Sequence, residues 1–170
     1  MMKNPGKTMN KYLALFIVVP AISCNTNATT LKDEGISIPV SSKWGQPVYR
    51  QYTPHNLTRE WRYTINNATL YIIKAICPDC KSFVSNDVDK INKYPELKTT
   101  ASLLMVNNQP ALYSVTKSPK NVNFRNFKLN RNGYQYELQL GISGDTSFNF
   151  AFELEKEFLD MINRLSFVTN

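Results

Sequence analysis

The sequence contains a single histidine, three cysteines and only six glycines among its 170 residues. None of the glycines is grouped into a phosphate-binding loop, which argues against a nucleotide-binding domain of that type. A zinc site needs about four Cys or His ligands, and the closely spaced Cys77 and Cys80 with His55 cannot complete one. The apolar run near the N-terminus is about half of the ~20 residues that a membrane-spanning helix requires. We therefore expect no metal ion, no cofactor and no permanent membrane span.

The N-terminal segment has the three parts of a secretory signal peptide. Lys11 precedes the apolar run 12–19, and small residues lead up to Cys24. A cysteine directly after Ala-Ile-Ser resembles a bacterial lipobox, in which the cysteine is acylated and becomes the mature N-terminus, although Ala21 replaces the usual leucine. The sequence therefore predicts lipidation at Cys24. The alternative is ordinary cleavage after Ser23, which would leave Cys24 as a free or paired thiol.

This leader divides the chain into three parts. We expect residues 1–24 to form a lipoprotein signal peptide, with Met1 or Met9 as its start. Residues 25–34 would form a flexible polar tether, and residues 35–170 a single domain. The leader contains three of the twenty basic residues and no acidic one, which leaves 17 basic against 13 acidic residues. This mild excess does not indicate a nucleic-acid partner. The expected location is the periplasmic face of the cell envelope, at the outer membrane and tethered only by lipid.

Turn signals and hydrophobic periodicity predict an antiparallel sheet flanked by helices, which is the α+β class. An edge strand is expected around Ile36–Val40, where Pro39 disfavours a central position. Residues 46–57 are expected to be irregular. Paired asparagines, and Asn132 with Gly133, are typical of two-residue turns between strands. The expected hairpins cover 61–75, 102–116 and 124–140, and the expected helices cover 81–94 and the C-terminal tail from Phe148, although 148–152 could instead be a strand.

The C-terminal tail predicts an amphipathic helix with one apolar face. Five of its apolar residues recur at helical spacing and are expected to face the core together. They are Phe148, Phe152, Phe158, Ile162 and Leu165.

The order of these elements resembles the PsbP-like domains. The sequence cues are Ile36-Ser-Ile-Pro39 followed by Trp44, a hairpin that contains Trp61, and a last helix that ends in Leu165-Ser-Phe167. The resemblance covers about residues 35–168 and implies an α/β/α sandwich that binds a larger protein as an accessory, adaptor or inhibitor. Some exported lipoproteins of this layout are immunity proteins, which neutralise toxins that rivals inject. No functional residue of the family maps onto this chain.

Cys77-Pro78-Asp79-Cys80 is the motif with the most chemical content. An even pair of cysteines in an oxidising compartment predicts a structural disulfide between Cys77 and Cys80. The motif follows a predicted strand and opens a predicted helix, where the helix N-terminus could activate Cys77 as a redox nucleophile, with Cys80 as the resolving thiol. Against this, Asp79 disfavours a thiolate at either position, and the next two strands leave no room for the second helix of a thioredoxin-type domain.

A basic stretch follows the second hairpin and contains no acidic residue between 117 and 136. Lys120, Arg125, Lys128 and Arg131 are therefore candidate residues for steering an acidic protein partner, and the alternative is a solvated strand face. His55 is expected to be a loop residue without a catalytic partner. Residues 86–89 resemble a calcium loop only superficially, because the central glycine and the closing glutamate are missing.

Taken together, these features predict an exported, lipid-anchored domain that binds another protein and has no catalytic role. The most specific hypothesis is an immunity-type lipoprotein that neutralises a secreted toxin. The alternatives are a CxxC thiol–disulfide oxidoreductase of the envelope and an envelope accessory or adaptor protein.

Overall fold

The computed structural model describes residues 28–33, 35–52, 58–118 and 120–168. Within these ranges the chain forms nine strands and two α-helices. The strands are β1 (Ala28–Asp33), β2 (Ile36–Ser41), β3 (Val48–Tyr52), β4 (Thr58–Ile65), β5 (Ala68–Ile76), β6 (Thr99–Val106), β7 (Gln109–Lys117), β8 (Val122–Arg131) and β9 (Tyr134–Ser143). The helices are α1 (Ser85–Asn92) and α2 (Phe148–Arg164), and short 3-10 turns cover Ser42–Trp44 and Pro95–Leu97. No helix in these ranges is long and apolar enough to cross a bilayer.

The three predicted hairpins are confirmed as β4–β5, β6–β7 and β8–β9. Their turns use residues that tolerate the left-handed backbone conformation, as two-residue hairpin turns require. Asn107 and Asn108 have φ angles of 49° and 61°, and Asn132 and Gly133 have φ angles of 49° and 76°. Asn66 has a φ angle of 44° at the β4–β5 turn. Local turn chemistry therefore determines these strand pairings.

Seven strands form one antiparallel sheet in the order β3-β4-β5-β9-β8-β7-β6, and β1 and β2 form a separate antiparallel ribbon. This arrangement confirms the predicted α+β class with an antiparallel sheet and helices. Among the described strands β2 pairs only with β1, in agreement with the edge position expected from Pro39, and its Ser37 forms an isolated bridge with Ser166. The ribbon and α2 contact each other, and α2 also contacts β9.

The core lies between one face of the sheet, the ribbon and α2. Side chains alternate along each strand, so every second residue of β5, β8 and β9 points into this core. Leu70 is opposite Leu140, and Phe127 is opposite Leu138. The largest fully buried side chains of the core are Phe127, Phe158, Ile38, Leu70, Leu129, Leu138, Leu140, Leu154, Ile162, Leu165 and Val40.

Part of the opposite sheet face is covered by the segment between β5 and β6. Asn130 follows the core residue Leu129 in β8, so its side chain points to this second face, yet it is buried. Its Nδ2 donates a hydrogen bond to the backbone carbonyl of Lys81, 2.7 Å away. Further along, the side chain of Asn92 bonds both backbone groups of Ala101 in β6. These contacts fix α1 against the β6 end of the sheet.

Two regions predicted to lack regular structure form strands. The predicted tether 25–34 contains β1, because Ala28–Asp33 pairs in register with the predicted edge strand β2. The predicted irregular region 46–57 contains β3, because Val48–Tyr52 pairs with β4. In both cases a neighbouring strand supplies the backbone partners, and such pairing is invisible in a local hydrophobic pattern.

The two helices differ from the prediction in their limits and faces. α1 starts at Ser85 instead of residue 81, because the side chain of Asp87 accepts a hydrogen bond from the backbone N–H of Val84 and fixes the first turn there. α2 covers 148–152 as a helix, which excludes the strand alternative. Phe148 and Phe152 were expected in the core but are 82% and 61% exposed, so that part of the prediction is wrong.

Candidate functional site

Cys77 and Cys80 are joined by a disulfide, with their Cα atoms 5.3 Å apart. The disulfide lies directly after β5, at the turn between β8 and β9. The backbone N–H of Cys77 donates to the carbonyl of Gly133 at 2.7 Å, and that of Cys80 donates to the carbonyl of Cys77 at 3.1 Å. With the bond from Asn130 to Lys81, these contacts attach the cysteine loop to the end of the β8–β9 hairpin.

The position of α1 bears directly on the redox hypothesis. A helix N-terminus lowers the pKa of a thiol only within its first turn. α1 begins at Ser85, five residues after Cys80, so the cysteines do not open the helix as the sequence suggested. The geometry therefore supports a role for the disulfide in stiffening this corner more directly than it supports nucleophile activation.

The predicted basic residues do not form one surface. Arg125 and Arg131 lie on the same face of β8 as the core residues, whereas Lys128 points to the opposite face of the sheet. Lys120 is exposed in the turn between β7 and β8. Strand geometry therefore separates charges that are close together in the sequence.

Three of these four side chains also have partners within the chain. Arg125 pairs with Glu155 of α2 at 2.5 Å, and Lys128 pairs with Glu137 of β9 at 3.2 Å. The guanidinium of Arg131 lies 3.9 Å from the ring centroid of Phe167. These contacts give the three residues partners within the domain, and Lys120 is the one of the four that is classed as exposed.

The Arg125–Glu155 pair influences Tyr113, which lies next to it on the core-facing side of β7. Burial raises the pKa of the Tyr113 hydroxyl. The positive charge of Arg125 opposes this rise, and the negative charge of Glu155 adds to it. Because the two partner charges act in opposite directions, burial determines the sign of the shift.

Two predicted positions, Cys24 and His55, lie outside the described residues. Asp87, in the segment that superficially resembled a calcium loop, caps the first turn of α1 and pairs with Lys90. Within the part of the chain that the structure describes, no three His, Cys, Asp or Glu side chains are grouped to hold a metal ion.

The outer edge of β3, the terminal strand of the seven-stranded sheet, was not predicted from the sequence. All five residues of Val48–Tyr52 are exposed, and no described strand pairs with that outer edge. The available signal was the β-branched and aromatic content of Val-Tyr-Arg-Gln-Tyr, which favours strands. The prolines on either side of this segment disfavour a strand, so this signal was overlooked.

The second missed feature is the surface formed by Phe148 and Phe152 at the start of α2. It borders a cavity of about 300 Å³ that is also lined by Ile142, Gly144 and Ala151. A helical rotation of 100° per residue places Phe152 about 120° away from Phe158 around the helix axis. This angle was the signal that Phe152 and Phe158 could not share one buried face.

Comparisons with known proteins leave the family of this chain open. No family model and no curated protein matches it. A solved structure from Bacteroides thetaiotaomicron VPI-5482 is similar at 11% identity and a TM-score of 0.49, covering 84% of this chain. The similar region spans 49%, about half, of that longer chain.

Proposed function

We propose that this chain is an exported, lipid-anchored protein-binding domain without catalytic activity. Its most specific form is an immunity-type lipoprotein that neutralises a secreted toxin. In this proposal a PsbP-like α/β/α sandwich is acylated at Cys24 and held at the periplasmic face of the outer membrane. The observation that carries the binding function is the outer edge of β3, a preformed strand exposed over its whole length.

An unpaired strand edge offers backbone N–H and C=O groups to another chain. Natural proteins usually shorten, twist, charge or cover such edges, since they otherwise promote association. β3 contains one charged residue, Arg50, and its Val48, Tyr49 and Tyr52 are 56%, 48% and 46% exposed. An exposed edge of this composition is suited to accept a strand from a partner.

Side-chain contacts within β3 and with β4 stabilise β3 in the extended conformation. The rings of Tyr49 and Trp61 lie with their centroids 5.4 Å apart, and the hydroxyl of Tyr49 donates to Gln51 at 3.2 Å. A side-chain hydrogen bond between Arg50 and Tyr52 raises the pKa of the Arg50 guanidinium. Because the strand is ordered before binding, this domain loses less conformational entropy when a partner docks.

Backbone pairing would supply affinity in this mode, and the exposed side chains would supply specificity. An interface of standard size buries about 800 Å² on each partner. β3 alone is too short for that area, so the partner would also contact neighbouring residues of β4. Arg50 and the excess of basic over acidic residues after the leader favour an acidic partner.

The test is affinity capture from envelope and attacker extracts with the full-length lipoprotein, followed by binding of the captured protein in purified form. The β3 variant combines Tyr49→Ser with Tyr52→Ser. The matched control is Met105→Ser, since Met105 is 68% exposed on β6 at the other end of the sheet. We expect the parent and the control to bind the purified partner and the β3 variant to lose at least tenfold in affinity.

A growth competition tests the immunity hypothesis in the same strains. Deletion of the gene should make the strain sensitive to a toxin-secreting rival, and the parent and Met105→Ser genes should restore survival. Rescue by the β3 variant at the parental level would contradict binding through β3. Survival of the deletion strain against every toxin-secreting rival would contradict immunity and favour the accessory or adaptor alternative.

The oxidoreductase alternative is tested at the cysteines. A disulfide that closes a very short loop stabilises the folded state by less than the ~3 kcal/mol expected for a 15-residue loop. We therefore expect Cys77→Ser with Cys80→Ser to lower the free energy of unfolding by less than ~3 kcal/mol and to leave partner affinity unchanged. Insulin reduction by the parent that is lost in this variant would support the enzyme and contradict our proposal.

A further inference from the structure

The surface of Phe148 and Phe152 carries a second inference, about how the domain sits on the membrane. We propose that this surface contacts the bilayer and that the two phenylalanines insert among the lipid acyl chains. The proposal rests on the proposed lipid anchor at Cys24. It is carried by the length of the tether, by the end of the molecule at which the described chain begins, and by the exposure of the two rings.

The tether is shorter than the sequence suggested, because β1 begins at Ala28. Four residue steps separate Cys24 from Ala28, and each step spans at most about 3.6 Å, so the reach is at most ~14 Å. That distance is smaller than the length of α2, whose 17 residues rise about 25 Å. An acylated Cys24 therefore holds one end of the domain near the lipid headgroups.

The ribbon shows which end is held. β2 runs antiparallel to α2, because Ser37 is bonded to Ser166 while Trp44 is bonded to Glu157. The last residue of β2 therefore lies nearer to the N-terminus of α2 than the first residue of β2 does. Ala28 is the register partner of Ser41, the last residue of β2. The chain thus enters the domain at the end of the ribbon that is nearest to Phe148 and Phe152.

The two phenylalanines lie towards that end of the molecule along the axis of α2. Phe152 lies five residues before Glu157 on α2, a rise of about 8 Å, and Phe148 lies a further ~6 Å along the axis. Both rings therefore lie towards the end of α2 at which the chain enters the domain. We expect a bilayer that holds acylated Cys24 at this end to contact both rings.

The surroundings of the rings fit an apolar contact more closely than an ionic one. The loop 144–147 joins β9 to α2 at this end, and the backbone N–H of Gly144 donates to Asn121 at 2.6 Å, next to exposed Lys120. Exposed Asp145 follows Gly144. On α2, exposed Glu153 and Lys156 lie one and four residues after Phe152. These two cations and two anions cancel, so the expected attraction comes from burial of the rings in lipid.

A fluorescent probe tests the orientation on the full lipoprotein in vesicles of equal parts phosphatidylethanolamine and phosphatidylglycerol. One variant is Phe152→Cys, labelled with an environment-sensitive dye. The matched variant is Met105→Cys, since Met105 is similarly exposed but lies beside the β6–β7 turn, where Asn107 donates to the carbonyl of Leu165 after the end of α2. The two labels are thus at opposite ends of α2.

We expect the dye at position 152 to shift to shorter wavelength on reconstitution and to be quenched by spin-labelled acyl chains. The dye at position 105 should show neither effect, and high salt should leave the result unchanged. Acylated protein with equal emission at both positions would overturn the orientation and leave the anchor intact. A shift at 152 that appears only after envelope proteins are added would assign the surface to a protein partner and overturn the membrane contact.

Mass spectrometry of the N-terminal peptide keeps the two proposals separate. Acylation of Cys24 supports the anchor regardless of the dye result. A mature chain that begins after Ser23 without acyl groups would overturn the anchor, and the membrane contact with it. In the labelled variant Phe148→Ser, which removes a side chain that is 82% exposed, we expect an unchanged thermal midpoint and a smaller shift at position 152.

Discussion

The indole Nε1 of Trp44 donates a hydrogen bond to Oε1 of Glu157, with the two atoms 2.9 Å apart. Trp44 is 3% exposed, and the other carboxylate oxygen of Glu157 pairs with Lys43. One side chain of α2 thus satisfies a buried donor and a surface cation from the 3-10 turn after β2. This contact fixes the ribbon against the helix, 113 residues away in the sequence.

Substitution of Glu157 separates the two contacts. Glu157→Ala leaves the buried Trp44 N–H without its acceptor, which should lower the free energy of unfolding by about 1–3 kcal/mol. Glu157→Gln keeps an oxygen acceptor for Trp44 and removes only the partly exposed ion pair with Lys43, at a cost below about 1 kcal/mol. Urea unfolding followed by tryptophan fluorescence measures both values. The control is Glu153→Ala on the exposed side of the same helix. An equal loss for Gln and Ala would mean that the ion pair dominates.

The exposure of phenylalanines along α2 gives a second prediction. Phe158 is fully buried, whereas Phe148 is 82% exposed on the same helix. Phe158→Ala should therefore lower the free energy of unfolding by about 3–5 kcal/mol, because it removes contacts and leaves a cavity. Phe148→Ala should change it by no more than about 0.5 kcal/mol. Thermal and urea unfolding of the two variants provide the comparison, and a large loss for Phe148→Ala would place that side chain in the core.

These phenylalanines also show which part of the fold could not be predicted from the sequence. Local signals sufficed for the three hairpins, because Asn107, Asn108, Asn132 and Gly133 adopt the turn conformation with little help from the rest of the chain. Which side of α2 faces the core depends on which of its residues the ribbon and β9 cover. The angle of about 120° between Phe152 and Phe158 indicates that both cannot share one buried face. Which of them is buried depends on tertiary packing, so the apolar pattern alone placed Phe152 wrongly in the core.

The candidate site was less predictable for the same reason. The basic stretch looked like one charged patch, but Arg125 meets Glu155 from 30 residues further along the chain. Strand alternation then moves Lys128 to the other face of the sheet. The exposed edge of β3 depends on which strand ends the sheet, and composition does not encode that order.

Tyr63 gives a prediction about pH. Its side chain is 2% exposed in β4, and burial raises the pKa of its hydroxyl above the ordinary value of about 10. Above that pH the unfolded chain releases the Tyr63 proton, whereas the folded chain still retains it. The folded state therefore loses stability as pH rises from about 10 towards the raised pKa, by at most about 1.4 kcal/mol per pH unit. Below pH 10 both states keep the proton and the contribution is constant.

Tyr63→Phe should remove this alkaline loss, since phenylalanine fills nearly the same volume and has no proton to release. The measurement is the urea midpoint of parent and variant from neutral pH to above pH 10. The two curves should run parallel at neutral pH and diverge above pH 10, with the variant more stable. Tyr94→Phe, at a 48% exposed position beyond α1, controls for the general effect of removing a hydroxyl and should follow the parent. Parallel curves for Tyr63→Phe and the parent across the alkaline range would show that the buried hydroxyl is not what limits stability there.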